Sequence, residues 1–324
     1  MPPTMVDDVA RRMHEGRAIV KSINPRMTVG VLADYLEWRP PEETEHFAAT
    51  VPSDLFQFYS PHSPPHNKSW KRIHGDVVRY ELYTQYAWNH VAYVFPERVK
   101  REIQEGYVNG YRRVVTQAWY ADAFMLNYAT LAEMSWNSTG VPLDQFWNET
   151  LARSFGAAAV PAVRTALAHT RFDLRSDIIC RMILGDLIDR PFRFWDMYTM
   201  TNIPGLKDPM LAELETDARA SLIAAQAADP LVTAAAGREM LASILHSAER
   251  RLYLATSARQ LLRALAAEKA GNKPAALAAM ETCLAEGAKL ERAATTLGIE
   301  YPMATHDDDV VAHYRKIHAR IQKL

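Results

Sequence analysis

Residues 77–137 read VVRYELYTQYAWNHVAYVFPERVKREIQEGYVNGYRRVVTQAWYADAFMLNYATLAEMSWN. The stretch from Val77 to Tyr86 is β-branched and aromatic, which predicts a strand. Pro96 stands just ahead of a helix predicted over Glu97 to Glu105, and Gly106 and Gly110 flank its exit. Tyr111 to Trp119 reads as the next strand and is followed by a further helix. Strand–helix–strand units of this length favour a right-handed crossover and parallel pairing. Ligands of such sheets sit at the carboxyl ends of the strands. Those ends carry Tyr86, Trp88, Asn89, His90, Trp119, Tyr120 and Asp122, an aromatic rim with amide, imidazole and carboxylate groups among the rings.

The chain changes character near residue 137. Before it, a helix is expected from Met5 to Ser22, with Val6, Val9, Met13, Ile19 and Val20 as its apolar face and Asn24-Pro25 as its stop. Met27 to Leu36 and Asp54 to Ser60 read as two earlier strands. The segment EWRPPEETEHFAATVP between them reads as a loop, as does the Pro- and His-rich PHSPPHNKSW that follows. Beyond Val141 the sequence is Ala- and Leu-rich, and helices are expected at 143–155, 157–169, 173–187, 209–228, 231–270, 273–297 and 307–322. Within the longest, Leu241, Ile244, Leu245, Ala248, Leu252, Leu254, Ala255, Ala258, Leu261 and Leu262 recur at helical spacing, the seam of an antiparallel bundle. The expected fold is therefore α/β followed by all-α. It has a partial (β/α)8-type barrel segment of about four strands over 1–137 and a helical domain over 138–324.

Composition bounds the function. The chain has 324 residues, of which 48% are hydrophobic, enough for a full core and about two domains. Its net charge is −1, with 37 Lys plus Arg against 38 Asp plus Glu and no long block of either sign, which argues against a nucleic-acid partner. No apolar run approaches the roughly 20 residues of a membrane helix. The N-terminal MPPTMVDDVARR lacks the apolar core of a signal peptide, which favours the cytoplasm; a truncated start would reopen an extracytoplasmic location. Cys180 and Cys283 are too few and too far apart for a disulfide framework or a thiolate metal site. Phosphate-binding glycine loops, the serine-hydrolase elbow and the HExxH zinc signature are all absent, and no cofactor is expected.

The order of these features resembles the last strands of a (β/α)8 barrel of carbohydrate-active proteins followed by their helical C-terminal domain. It is most similar to alpha-glucuronidase-like glycoside hydrolases and to the related barrel domain of unknown function in bacterial polysaccharide-utilisation proteins. The residues that carry the resemblance are YLEWRPP, RYELYTQYAWNHVAYVFP, GYVNGYRRVVTQAWY and LNYATLAEMSWN running into LDQFWNETLARSFG. In that family a Trp-Asn pair, an acidic residue, an aromatic and a later Phe/Tyr-Gly mark entry into the helical domain. Trp136, Asn137, Asp144, Phe146, Phe155 and Gly156 fill those places. The likeness extends from Met5 to Thr170 and more loosely over the remaining helices. A complete barrel has eight strands over about 250 residues, against four strand candidates here. The chain is then a fragment, pairs with another, or hides further strands, which leaves room for a homo-oligomer or a missing N-terminal half.

The resemblance implies glycoside hydrolysis, which needs an acid and a base or nucleophile roughly 5–10 Å apart across the sugar. Asp34 and Glu37 stand at the carboxyl end of the first strand candidate and Asp122 after the fourth, so these are the candidate catalytic carboxylates. In purely structural roles Asp34 caps a turn, Glu37 is solvated and Asp122 starts a helix. Trp38, Trp88, Trp119 and Tyr120 offer ring faces on which a pyranose stacks, or else close the barrel or cover the first helices, and Tyr86 at the same rim is a further candidate substrate contact. Asn89, His90 and His62 offer hydrogen bonds to sugar hydroxyls. His62 and His66 have metal-like spacing, but Pro61, Pro64 and Pro65 forbid the helix that spacing needs, so no metal is expected. The expected partner is an oligosaccharide or a uronic-acid-containing saccharide. The alternative is a non-catalytic saccharide-binding or subunit-docking protein.

Overall fold

The computed structural model describes residues 5–27, 29–31, 41–52, 56–59, 77–80, 94, 96–108, 113–116, 121–137, 139–169, 208–296 and 306–324. The expected fold class is overturned. Helix dominates the described residues, and no barrel segment is present among them. Among the described residues, the runs read as strands hold β1 (Gly30–Val31), β2 (Phe56–Tyr59), β3 (Val77–Tyr80) and β4 (Arg113–Thr116). These short segments pair in parallel in the order β1-β2-β3-β4, with Gly30 opposite Phe56, Phe58 opposite Val77 and Val77 opposite Arg113. The physical reason for the overturned class is the weight of helix: β-branched and aromatic composition marks a half-buried surface and does not by itself close a barrel.

The helices are α1 (Met5–Ile23), α2 (Pro41–Thr50), α3 (Pro96–Val108), α4 (Ala121–Trp136), α5 (Leu143–Phe155), α6 (Val160–Ala168), α7 (Asp208–Ala228), α8 (Ala235–Lys269), α9 (Lys273–Thr296) and α10 (His306–Lys323). Helix α2 lies where a loop is expected. Pro41 at its first position and Glu42 and Glu43 in its first turn are good N-terminal residues, and Phe47 is its buried anchor. Helix α3 continues past Gly106, which the sequence reads as an exit. The expected helix 173–187 lies outside the described residues.

Two compact units make up the chain, one of residues 1–83, 97–118 and 131–139 and the other of 84–96, 119–130 and 140–324. In the first, α1 packs on α2, and Val6 and Ala10 of α1, Phe47 of α2 and Val51 just beyond it are buried. His14 Nε2 lies 2.7 Å from the Thr50 carbonyl oxygen, and the His46 ring pairs with Asp7.

The second unit has two buried clusters strung along α8. At 35 residues this helix is about 52 Å long. Its C-terminal half, through Leu254, Ala258 and Leu261, meets Leu211 and Leu214 of α7, Met280 and Leu290 of α9, and Val311, Tyr314 and Ile317 of α10. Its N-terminal half, through Leu241 and Ile244, meets Leu151 and Phe155 of α5, Val163 and Leu167 of α6, and Ala225 of α7. Gly237 lets the start of α8 press on the end of α5; a Cβ there would run into the Ser154 carbonyl and lie 3.1 Å from Phe155 Cα. Gly156, at φ 96°, and Gly271, at φ 71°, hold left-handed turns at the ends of α5 and α8.

Candidate functional site

Asp122 is the second residue of α4, so its backbone is helical and it stands one turn ahead of Leu126. Asp34, Glu37, Trp38, His62, Tyr86, Trp88, Asn89, His90, Trp119 and Tyr120 lie outside the described residues. Two described residues near them in sequence, Val94 and Leu126, belong to the core of the second unit. Val94 follows His90 by four residues, Leu126 follows Asp122 by four, and both are only 5% exposed. The two share one buried cluster with Trp147, Leu151 and Phe155 of α5, Leu167 of α6 and Leu241 of α8. Asn127 and Thr130, also on α4, are fully buried, and Thr130 Oγ1 donates to the Leu126 carbonyl at 2.8 Å. The sequence signal for this shared burial is an apolar residue just beyond each polar-aromatic segment, too short a pattern to read without the fold.

A second polar cluster escaped the sequence reading. His169 caps the C-terminus of α6, and its Nδ1 lies 3.0 Å from Asp217 Oδ1 on α7. A carboxylate accepts, so the ring donates this contact through Nδ1–H. Beneath it, Arg251 of α8 donates from Nη1 to the His169 carbonyl at 2.8 Å and from Nε to the Ser247 carbonyl at 3.2 Å. Ser221 Oγ of α7 donates to the Ala166 carbonyl at 3.1 Å. Arg250 and Arg251 are each 1% exposed, an unusual fate for two adjacent arginines. The apolar seam of α8 gives no hint of it. The geometry fastens α6, α7 and α8 together at one point; as acid/base chemistry it offers a half-exposed imidazole oriented by a carboxylate.

The residues at the entry to the helical unit are mostly structural. Asp144 and Asn148 of α5 accept from the two Nη groups of Arg164 on α6, each at 2.7 Å. Phe155 is fully buried, Phe146 is packed at the edge of the same cluster, and Gly156 makes the turn. Trp136, by contrast, is 90% exposed at the end of α4.

Other charged groups join helices. Arg259 of α8 donates to Asp208 and Glu215 of α7 at 2.7 and 2.8 Å. That hydrogen bonding holds the Asp208 carboxyl below its ordinary range. Burial alone would raise Glu215, but the Arg259 and Arg219 guanidinium groups outweigh it and leave this carboxyl lowered as well. Burial pushes the Cys283 thiol far up, so it is an inert core side chain and not a nucleophile. Among the described residues no group of three His, Cys, Asp or Glu side chains is placed to hold a metal ion, and no helix is long and apolar enough to cross a membrane.

Neither a protein-family model nor a curated protein matches this chain. Among solved structures it is similar to a GH138 enzyme targeting pectin rhamnogalacturonan II, with a TM-score of 0.59 at 10% sequence identity. The match covers 94% of this chain and 46% of the enzyme, so the chain spans about half the length of that structure. At this identity the likeness is one of fold: the chain folds like part of a glycoside hydrolase.

Proposed function

We propose that the chain is a carbohydrate-active, glycoside-hydrolase-like protein acting on an oligosaccharide, with uronic-acid-containing saccharides of the pectic kind as the first class to consider. The observation that carries this reading is the shared fold with a pectin-directed enzyme along nearly the whole chain. Support of a second kind comes from the residues themselves. Asp34, Glu37 and Asp122 are the carboxylates assigned to acid/base work. Trp38, Tyr86, Trp88, Trp119 and Tyr120 are assigned to sugar stacking, and Asn89, His90 and His62 to the hydroxyls. In this assignment one carboxylic acid protonates the glycosidic oxygen while a second carboxylate activates water or attacks the anomeric carbon. Aromatic faces bind the apolar side of the pyranose and fix its orientation.

The span of 46% favours one further reading, a saccharide-binding chain without turnover that leaves catalysis to another part of a larger assembly. A thermal-shift panel of neutral sugars, uronic acids and short pectic oligosaccharides tests the shared premise. A ligand of the folded state raises the melting temperature in proportion to RT ln(1 + [L]/Kd). A shift confined to one saccharide class is the expected result; a cooperative melt unmoved by every sugar would remove both readings.

A further inference from the structure

We infer that the C-terminal half of α1 is a docking face for an acidic amphipathic helix of a partner protein. On α1, Val6, Val9, Met13, Gly16, Val20 and Ile23 recur in steps of three and four residues, the spacing of a seam that packs lengthwise on another helix. Among the described residues only the first half of this seam has such a neighbour. Val6 and Ala10 are the buried residues of α1, and the pairing of His46 with Asp7 and the contact of His14 with the Thr50 carbonyl tie the same half to α2. Past His14 no described residue of α1 is buried. Ile19 is 62% exposed and Ile23 78%, with Met27 just beyond the helix at 48%. Gly16 has open space where a Cβ would stand, so a second helix can approach the backbone closely there.

Charge identifies the occupant. In the N-terminal half of α1 the charges are matched within the chain: Asp8 with Arg11 and Arg12, Arg11 with Glu15, and Asp7 with His46. From residue 17 to residue 27 the sequence carries Arg17, Lys21 and Arg26 and no acidic residue. Cations near a helix C-terminus complement its dipole. Here they share a half-helix with two exposed isoleucines, and exposed apolar surface rimmed by charge marks an interaction face. Two copies of the chain meeting through this half would set cation against cation. A helix with an apolar stripe and acidic residues beside it answers both features at once. The face lies apart in sequence from the residues assigned to the saccharide, and the inference does not depend on that assignment.

The probe is a synthetic helical peptide of about three heptads, with Leu at the a and d positions and Glu at e and g, beside a counterpart with Lys at e and g. Each is labelled with fluorescein and titrated with the full chain while anisotropy is read. The expected result is saturable binding of the acidic peptide that weakens as salt is raised, and no binding of the lysine peptide. Ile19→Asp and Ile23→Asp, both at exposed positions, are expected to melt like the wild type and to weaken binding by about tenfold or more. Ile223→Asp, at a 61% exposed position on α7, is expected to bind like the wild type. Lys21→Glu combined with Arg26→Glu is expected to move binding to the lysine peptide. Equal binding of the two peptides, binding of neither, or the same loss from Ile223→Asp would overturn the inference. So would a dimer in light scattering that Ile23→Asp dissociates, since a second copy would then be the occupant.

Discussion

Arg251 donates from Nη1 to the main-chain carbonyl of His169 at 2.8 Å, joining positions 82 residues apart. This bond ends α6 with a charged donor and places a guanidinium that is 1% exposed at the point where α6, α7 and α8 meet. Buried charge persists only where polar partners replace water, so loss of Arg251 strands the His169 carbonyl and opens a void. Arg251→Ala is expected to cost about 3 kcal/mol in urea unfolding. Arg11→Ala, which breaks an exposed network with Asp8 and Glu15 on α1, is expected to cost far less. Equal losses for the two variants would contradict the weight placed on the buried arginine.

Two glycines separate backbone entropy from packing. Gly16 of α1 has open space where a Cβ would stand, so Gly16→Ala is expected to stabilise the chain by about 0.5–1 kcal/mol through helix propensity. Gly237 faces the backbone of Ser154 and Phe155, and Gly237→Ala is expected to destabilise by about 2–3 kcal/mol as α8 is pushed off α5. Opposite signs in one thermal-melting comparison are the outcome to look for; a neutral Gly237→Ala would mean that the two helices do not touch there.

His313 of α10 is buried, and its pKa is lowered by burial first and then by the neighbouring Lys316 and Arg320. The folded state therefore prefers the neutral ring. Its contribution is fully present above the unfolded-state value of about 6.5 and is lost as pH falls below it. The lowered Asp208 and Glu215 act in a separate window, contributing above about pH 4 and losing that contribution in more acidic solution. The urea midpoint is accordingly expected to fall between pH 7 and 5, and His313→Leu should flatten that limb while leaving the more acidic one. A variant that follows the wild-type curve throughout would clear His313 of the effect.

The parts legible in the sequence were those governed by a repeating local rule. The α8 seam is an example: Leu241, Ile244, Ala248, Leu254, Ala255, Ala258 and Leu261 are all buried, as a 3.6-residue period demands. Helix α5 has the bounds its pattern gives, Leu143–Phe155. Helix α2 was missed because EETEHF presents a single large apolar residue, Phe47, and so no period. The four strand cores were legible from β-branched and aromatic composition, as at Val77–Tyr80 and Arg113–Thr116. Arg250 and Arg251 break the residue-type rule for interiors, since their burial depends on groups from other helices. Of the candidate site, the sequence supplied residue types and order. It could not supply the shared burial of Val94 and Leu126, because a lone apolar residue enters the core only through packing with α5, α6 and α8.

Action on saccharides through carboxylates is open to a direct assay. Turnover of pectic oligosaccharides is followed as new reducing ends for the wild type and for Asp34→Ala, Glu37→Ala and Asp122→Ala. The predicted result is release of reducing ends by the wild type and a loss of at least about a hundredfold in one or more variants that melt normally. Full turnover in all three variants would contradict the assigned carboxylates, and a wild type that neither cleaves nor binds any pectic saccharide would contradict the saccharide reading itself.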